Sequence, residues 1–248
     1  MKNDVADLGA PPARVRRIAL FLDLDGVLAE LEPRPEAVGP DPRRSRVLEA
    51  AARRLEGRLA VISGREISDL DRILETGVRA VSGVHGLERR DAAGRLTRAE
   101  PAPGVAAAAA AFEAFAEARE GVLVEKKGVA TGLHYRLAPG AGVEARALAA
   151  ALAERHALVH QPGHMIEELK TPGADKGRAL EAFMAEPPFA GAVPVMVGDD
   201  LTDEYGFEAA TRLGGFGVLV GQPRSTAARY RLNGPTEVLD WIERLEAE

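Results

Sequence analysis

Two aspartates follow the first apolar run of the sequence. The run is Ile18–Leu22, and Asp23, Asp25 and Gly26 come directly after it. Residues two apart in an extended chain point to the same side, so two such carboxylates raise each other's pKa unless a cation separates them. Mg²⁺ suits oxygen ligands of this kind. An isolated Asp-x-Asp-Gly stretch is more often a turn or a helix cap.

Three further polar motifs lie at predicted strand ends or helix starts. They are Ser63-Gly64-Arg65, Asp175-Lys176-Gly177 and Gly198-Asp199-Asp200 with Asp203 close behind. A hydroxyl and main-chain amides after a strand can hold a phosphoryl oxygen. Lys176, one of only five lysines among 32 basic residues, is unfavourable at a helix start unless it faces an anion. Ser63, Asp200 and Asp203 could equally be helix caps. Together the motifs supply a carboxylate nucleophile, metal-binding acids and phosphate anchors, as phosphoryl transfer through an aspartyl phosphate requires.

The elements that must position these motifs alternate along the chain. Strands are expected at 18–22, 59–62, 78–81, 193–197 and 216–220, with helices ending near Gly57 and Gly77, starting near Asp175, and spanning 202–212 and 236–245. Continuous apolar runs are typical of strands buried on both faces of a parallel sheet. The alternation predicts a doubly wound, mostly parallel α/β sheet, in which the functional crevice lies at the carboxyl ends of the strands.

The middle of the chain has a different pattern. Helices are expected at 104–119 and 143–156, and strands at 122–126, 129–137, 157–160 and 164–169. Short turns between strands favour an antiparallel sheet covered on one face. We therefore predict an α/β cap domain (103–170) inserted into a core made of 16–102 and 171–248. The first 15 residues contain Pro11-Pro12 and no periodicity, and they are expected to form a loose tail.

The composition excludes several classes of function. The 248 residues include no cysteine, which rules out disulfides, thiolate metal sites and a cysteine nucleophile. A net charge of −6 without long runs of like charge disfavours a nucleic-acid partner. No apolar run could span a membrane, and residues 1–15 have no apolar signal core. We expect a soluble, cytoplasmic protein without a membrane partner; the oligomeric state is left open, and a monomer is compatible with the sequence.

The order of the motifs DLDG, ISGR, DKG and GDD resembles that of haloacid-dehalogenase-type phosphatases. Longer stretches resemble one family within that superfamily, the trehalose-6-phosphate phosphatases. They are FLDLDGVLAELEPRPEAV, AVISGREISDLD, GVHGLERRD, EKKGVATGLHYR and MVGDDLTDEYGF. The resemblance covers nearly the whole chain after residue 15. It implies Mg²⁺-dependent hydrolysis of trehalose 6-phosphate to trehalose and phosphate in trehalose biosynthesis, through an aspartyl-phosphate intermediate.

The resemblance also implies a role for each motif residue. Asp23 would attack phosphorus and bind Mg²⁺, and Asp199 would be a further metal ligand. Asp25 would protonate the leaving group and then activate water, while its main-chain carbonyl binds the metal. Ser63 and Lys176 would hold the phosphoryl oxygens.

Further residues receive roles in the same way. Asp200 and Asp203 would hold the waters of the metal or Lys176. The implied substrate-binding residues are Gly26, Gly64, Arg65, His85, Glu125, Lys127 and Glu168. The three cap residues among them (Glu125, Lys127, Glu168) would bind the distal glucose hydroxyls through charged hydrogen bonds, although an ordinary solvated sheet face would show the same charge pattern. An ion pair is the alternative role for Arg65, and a capped turn is the alternative for the segment of His85 and Glu88.

Two alternative functions stay open at this point. A related cap-bearing phosphatase for sucrose 6-phosphate or mannosyl-3-phosphoglycerate would share the motifs. Receiver domains of signalling proteins also cluster aspartates with Ser/Thr and Lys, but they lack a large cap and an acid/base at the position of Asp25. Val27 departs from the family, because many relatives carry threonine there. We expect that the lost hydroxyl lowers the rate without abolishing the reaction.

Overall fold

The computed structural model describes residues 8–75 and 77–247. Its strands are β1 (Arg14–Val15), β2 (Ile18–Leu22), β3 (Leu59–Ile62), β4 (Ala80–Gly83), β5 (Glu88–Arg90), β6 (Leu96–Arg98), β7 (Leu123–Lys126), β8 (Ala130–His134), β9 (Val159–Gly163), β10 (Ile166–Lys170), β11 (Val193–Gly198), β12 (Phe216–Val220), β13 (Tyr230–Leu232) and β14 (Glu246–Ala247). Its helices are α1 (Pro42–Arg54), α2 (Ile67–Leu74), α3 (Gly104–Glu117), α4 (Gly142–His156), α5 (Lys176–Met184), α6 (Glu204–Arg212) and α7 (Pro235–Arg244). Within the described ranges, no helix is long and apolar enough to cross a membrane.

The chain divides into two compact units. The core unit comprises the described residues up to Thr97 and from Asp175 onward, and the inserted unit comprises Arg98–Ala174. The inserted unit thus extends beyond 103–170 at both ends. The connecting segments are joined to it by hydrogen bonds, since the Ala102 amide donates to Thr171 Oγ1 at 3.0 Å and Thr171 Oγ1 donates to the Val129 carbonyl at 2.8 Å.

An eight-stranded sheet forms the centre of the core unit. The strand order is β13-β12-β11-β2-β3-β4-β5-β6. Every neighbouring pair from β13 to β4 is parallel, and β5 runs antiparallel to β4. The predicted doubly wound, mostly parallel sheet is confirmed. β11 and β3 flank β2, with Val197 opposite Leu22 and Leu22 opposite Val61.

Apolar side chains cover both faces of this sheet, as expected from strands that are continuous apolar runs. On one face, Ile18, Leu20 and Leu22 of β2 belong to a buried cluster with residues of α1, α2 and α7. On the other face, Phe21 belongs to a cluster with residues of α5 and α6, including Phe183. Helices on both faces hold β2 in the middle of the sheet and leave its carboxyl end for polar residues.

Residues 8–15, predicted to be part of a loose tail, are attached to the core unit. β1 pairs in parallel with β14. Trp241 Nε1 donates to the Pro12 carbonyl at 3.1 Å, and the Arg231 amide donates to the Gly9 carbonyl at 3.0 Å. The prediction is wrong for these residues because most of these bonds use main-chain groups, which leave no periodicity in the sequence. Residues 1–7 lie outside the described residues.

A four-stranded antiparallel sheet with the order β7-β8-β10-β9 forms the inserted unit. Residues of α3 and α4 share a buried apolar cluster with Leu133, Tyr135 and Leu169 of this sheet region. The predicted α+β insert, with two helices on one face of an antiparallel sheet, is confirmed.

Several element boundaries differ from the predicted ones. β4 begins two residues later than the predicted strand 78–81, because its pairing with β3 starts at Ala80, opposite Ala60, and continues to Ser82. β9 also begins two residues late, because Ala157 ends α4 in a left-handed conformation (φ 51°). The predicted helix 202–212 starts as a short 3₁₀ turn before α6.

Candidate active site

Three neighbouring parallel strands of the core sheet end in polar residues. Asp23 follows β2, Ser63 follows β3 and Asp199 follows β11. Because these strands are adjacent and parallel, their carboxyl ends lie at one edge of the sheet. The Asp23 amide donates to the Val197 carbonyl at 3.0 Å, which ties the loop after β2 to β11. Motifs that are far apart in the sequence therefore meet at this edge.

A buried lysine links two of the aspartates. Lys176 Nζ lies 2.5 Å from Asp23 Oδ2 and 2.7 Å from Asp203 Oδ1, and all three side chains are buried. Lys176 is the first residue of α5, which Asp175 caps by accepting the Arg178 amide. Burial acts to lower the pKa of Lys176, but the ion pairs with Asp203 and Asp23 outweigh it and raise that pKa. The lysine is therefore a permanent cation.

Asp199 lies against the loop that follows β2. Gly26 has a φ of +72°, and a Cβ built on it would lie 2.2 Å from Oδ2 of Asp199. Only glycine satisfies both the backbone conformation and this close approach. The carboxylates of Asp23, Asp199 and Asp203 each offer an oxygen within 4.8 Å of the others. This acidic cluster (Asp23, Asp199, Asp203) is close enough to share one cation.

The acidic cluster has too little positive charge. Burial, opposed by Lys176 and reinforced by Asp203, raises the pKa of Asp23 to about 7. Burial, reinforced by Asp203 and Asp23, raises the pKa of Asp199 to about 9. Three carboxylates and one ammonium carry a net charge of −2 when all are ionised. A divalent cation would balance that charge and restore the ionised forms.

The Asp25 carboxylate forms a bidentate pair with Arg65. The two bonds measure 2.7 Å (Nε to Oδ2) and 2.8 Å (Nη2 to Oδ1). Arg65 Nη1 also donates to Asp69 at 2.6 Å and to the Pro35 carbonyl at 2.9 Å. Burial acts to lower the pKa of Arg65, but the hydrogen bonds and charges of Asp25 and Asp69 raise it overall. Arg65 thus forms the ion pair that was the alternative to a substrate contact, and this pair uses the side chain of Asp25 and not its main-chain carbonyl.

Ser63 is buried at the end of β3, with Oγ 3.4 Å from the Arg65 amide. It does not cap a helix, because the N-cap position of α2 is Glu66. The Ile67 amide at the start of α2 instead donates to Glu88 Oε2 at 3.0 Å. Ser63 is therefore not the N-cap of α2, whereas the Glu88 side chain does cap the first amide of that helix.

Gly64 and His85, both predicted to bind substrate, are neighbours beside Ser63. A Cβ on Gly64 would lie 2.7 Å from Nε2 of His85, so the imidazole rests directly on the glycine. His85 adopts a left-handed conformation (φ 53°), and its amide donates to the Ser63 carbonyl at 3.0 Å. The loops after β3 and β4 are joined at this point.

Asp200 and Asp203 shape the loop after β11. Asp203 Oδ2 accepts the amides of Asp199 and Asp200, each at 3.0 Å, while Oδ1 accepts Lys176. The Asp200 carboxylate caps the 3₁₀ turn that follows. Both capping alternatives are therefore present in this loop. Asp203 has both oxygens engaged, and so has Asp23, whose Oδ1 accepts the Leu24 amide at 2.7 Å while Oδ2 accepts Lys176.

Two residues that the sequence did not single out hold this loop from its other side. Arg224 Nη2 donates to the carbonyls of Asp200 (2.8 Å) and Asp199 (3.3 Å), and Arg224 Nη1 pairs with Glu204. Glu204 is buried and also accepts the Thr226 hydroxyl at 2.7 Å. These contacts join segments 20 or more residues apart, so no local pattern could have revealed them. The position of Glu204 directly after the acidic motif is the one signal in the sequence.

Val27 contributes to the core and not to the polar site. Its side chain has no exposed surface and belongs to the apolar cluster that contains residues of α1, α2 and α7. The position where many relatives carry a hydroxyl is therefore wholly apolar here.

Charged residues of the inserted unit also come together. Lys127 Nζ lies 2.5 Å from Glu168 Oε2 and 3.3 Å from Glu125 Oε2, and Glu125 Oε2 lies 3.0 Å from His134 Nε2. Burial acts to raise the pKa of Glu125, but His134 and Lys127 outweigh it and lower that pKa. Lys127 and Glu168 are buried, so an ordinary solvated sheet face does not describe them.

The fold and the core site define a class of enzyme. A doubly wound sheet with a carboxylate after β2, an acid after β11, a lysine at the start of α5 and an inserted unit is the architecture of haloacid-dehalogenase-type phosphatases. The structure superimposes on the C-terminal domain of trehalose-6-phosphate phosphatase from C. albicans with a TM-score of 0.84. The match covers 97% of this chain and 98% of that chain at 21% identity, which shows that the fold is shared.

Sequence comparisons identify the family within that class. The trehalose-phosphatase family model matches residues 21–236. The chain is 38% identical over 237 residues to trehalose-6-phosphate phosphatase of Escherichia coli strain K12, covering 94% of this chain and 88% of the relative. It is 37% identical over 207 residues to a probable trehalose-phosphate phosphatase of Sinorhizobium fredii, covering 83% and 78%. The chain belongs to the trehalose-phosphatase family, and the predicted resemblance is confirmed.

Proposed function

We propose that this protein hydrolyses trehalose 6-phosphate to trehalose and inorganic phosphate. The observation that carries the proposal is the buried Asp23, held by Lys176 and adjacent to Asp199, at the carboxyl edge of the sheet of a trehalose-phosphatase family member. The names of the relatives from E. coli and S. fredii support the choice of substrate. The activity belongs to the biosynthesis of trehalose.

The first step takes place at Asp23. A carboxylate oxygen attacks phosphorus, the bond between phosphorus and the sugar oxygen breaks, and the phosphoryl group is transferred to Asp23. Lys176, 2.5 Å from Oδ2, orients this carboxylate and favours its ionised form. The Ser63 hydroxyl and the amides of the adjoining loop bind the phosphoryl oxygens, as fixed donors do for charge that develops during a reaction.

Asp25 performs the proton transfers. It donates a proton to the sugar oxygen in the first step, and in the second it accepts a proton from the water that attacks the aspartyl phosphate. The second step releases phosphate and restores Asp23. Both oxygens of Asp25 accept hydrogen bonds from Arg65, an arrangement that suits the carboxylate as a base. Proton donation requires one of these two bonds to open.

The acidic cluster fits Mg²⁺. Its ligands are oxygens, its net charge of −2 with Lys176 matches a divalent cation, and Mg²⁺ is bound in proteins by one or two carboxylates with several waters. Asp23, Asp199 and the main-chain carbonyl of Asp25 would hold the ion, with Asp200 and Asp203 outside them. When bound, the cation supplies positive charge that neutralises the phosphoryl oxygens.

The inserted unit recognises the sugar. Glu125, Lys127 and Glu168 bind the hydroxyls of the distal glucose, since charged groups form strong hydrogen bonds and a site built for hydroxyls rejects ligands that lack them. The ion pairs between these residues fix the donors and acceptors in advance. In the core unit, Gly26, Gly64 and His85 remain the substrate-binding candidates, while Arg65 acts through Asp25.

A substrate panel tests the proposal. The purified protein with Mg²⁺ should hydrolyse trehalose 6-phosphate with a higher kcat/KM than sucrose 6-phosphate, mannosyl-3-phosphoglycerate or glucose 6-phosphate. The variant Asp23→Asn should have no activity and form no phosphoenzyme. A tenfold preference for another sugar phosphate would refute the substrate, and stable phosphorylation of Asp23 without turnover would point to a signalling module instead.

A further inference from the structure

One row of residues crosses all four strands of the inserted sheet. Glu125 of β7 pairs with Gly132 of β8, Gly132 pairs with Glu168 of β10, and Glu168 pairs with Gln161 of β9. Directly paired residues on neighbouring antiparallel strands project from the same face of a sheet. The row therefore presents a carboxylate, a glycine, a second carboxylate and an amide on one face.

The neighbours of Gln161 show which face this is. His160 Nε2 lies 2.7 Å from Glu167 Oε2, and Glu167 also accepts the Tyr135 hydroxyl at 3.0 Å and Arg146 Nε at 3.1 Å. Tyr135 belongs to the apolar cluster with α3 and α4, and Arg146 lies on α4. His160 and Glu167 thus face the helices, and Gln161 and Glu168, one residue along each strand, face the opposite way.

Gln161 differs from the other polar members of the row. Glu125 and Glu168 are held in ion pairs with Lys127. The side-chain amide of Gln161 makes no hydrogen bond to any residue that the structure describes, and the residue is only partly buried. It offers two donors and one acceptor oxygen, which complements acidic neighbours that offer acceptors only. Such an amide can donate to one hydroxyl of a sugar and accept from the next.

We propose that Gln161 is a fourth sugar-binding residue, which contacts hydroxyls of the non-phosphorylated glucose and contributes to selectivity for the disaccharide. This inference rests on the proposed function. Gln161 takes no part in the chemistry at phosphorus, so its contribution is confined to substrates that carry the second sugar.

The test compares Gln161→Ala and Gln161→Glu with the wild-type protein. The alanine variant removes the amide, and the glutamate variant keeps the side-chain length and the acceptors but loses both donors. Glu154→Ala is the matched control, because Glu154 is an exposed polar residue on α4, the helix that covers the opposite face. Each variant is assayed with trehalose 6-phosphate and p-nitrophenyl phosphate, and trehalose binding is measured by calorimetry.

Both Gln161 variants should lower kcat/KM for trehalose 6-phosphate about tenfold, mainly through KM, as expected for one lost hydrogen bond to a neutral group. Turnover of p-nitrophenyl phosphate should stay within twofold, trehalose should bind more weakly, and Glu154→Ala should match the wild type in every measurement. Unchanged trehalose binding and unchanged kcat/KM in both Gln161 variants would overturn the role of Gln161 in sugar binding, and so would equal losses on the two substrates. Neither result would affect the proposed function. A wild-type protein without preference for trehalose 6-phosphate would overturn the proposed function, and the inference with it.

Discussion

Replacing Lys176 by methionine should separate the structural and the catalytic roles of the buried cation. Its ammonium lies between Asp23 Oδ2 (2.5 Å) and Asp203 Oδ1 (2.7 Å), with all three side chains buried. Methionine keeps the length of the side chain and removes the charge. Removing one partner of a buried ion pair typically costs about 3–5 kcal/mol, because the remaining charge is left uncompensated. Two carboxylates are left facing each other here, so we expect a loss in that range for the metal-free protein at pH 7.5.

Activity should fall further than stability alone would explain. Lys176 Nζ lies 2.5 Å from Asp23 Oδ2, so its removal takes away both the group that orients the nucleophile and a positive charge beside the phosphoryl oxygens. We therefore expect kcat to drop by roughly a thousandfold, at the upper end of the loss typical for a removed electrostatic contact. The double variant Lys176→Met/Asp203→Asn removes the second carboxylate as well. It should recover part of the stability but none of the activity.

Guanidinium unfolding with EDTA and steady-state kinetics with Mg²⁺ measure the two effects. Lys126→Met is the matched control, because Lys126 forms an ion pair with Glu113 in which both side chains are exposed. That change should cost less than about 1 kcal/mol and leave kcat unaltered. The reasoning is refuted if Lys176→Met unfolds within 1 kcal/mol of the wild type, or if it keeps more than a tenth of wild-type kcat.

Three other predictions concern the same core unit. Arg65→Gln should lower kcat about tenfold for trehalose 6-phosphate and less for p-nitrophenyl phosphate, whose leaving group needs no proton from Asp25; equal losses would contradict a positioning role for Arg65. In EDTA, stability should fall as the pH rises from about 4 to 9, because Asp23 and Asp199, with pKa values raised to about 7 and about 9, retain protons that the unfolded chain releases. Mg²⁺ should therefore raise Tm more at pH 8 than at pH 6, and a pH-independent gain would count against the cluster as the binding site. Val27→Thr buries a hydroxyl in the apolar core, which should cost about 1–3 kcal/mol. Because Val27 lies in this apolar cluster, the new hydroxyl should not raise kcat, contrary to the expectation from the family resemblance; unfolding and kinetic assays can check both effects.

The sequence predicts the parallel sheet well because its signals are local. β2, β3, β11 and β12 are unbroken apolar runs, and burial on both faces of a sheet requires such runs. The polar motifs that follow these strands mark the carboxyl edge, where Asp23, Ser63 and Asp199 are found. Fold rules alone place such residues at one edge, so this part of the site follows without knowledge of any side-chain contact.

Long-range side-chain contacts could not be predicted in the same way. Arg65 lies 40 residues from Asp25, and an arginine after a strand suits a substrate contact as well as an ion pair. Glu88 caps α2 from another strand. The attachment of Arg14–Val15 combines main-chain pairing with Glu246–Ala247 and an ion pair between Arg14 and Glu246, residues 232 positions apart in the sequence. In each case the sequence supplies the residue type, and the tertiary fold selects its partner.

The bonds from Arg224 and Glu204 have a consequence for protein engineering. Arg224 donates hydrogen bonds to the carbonyls of Asp199 and Asp200. Glu204 accepts hydrogen bonds from both Arg224 and Thr226. These bonds connect the turn that follows β11 to the turn that follows β12. Replacing only one of the two turns would leave the buried carboxylate of Glu204 without the hydrogen bonds that Arg224 and Thr226 donate to it. Chimeras between homologous enzymes should tolerate replacement of this region only when both turns come from the same parent.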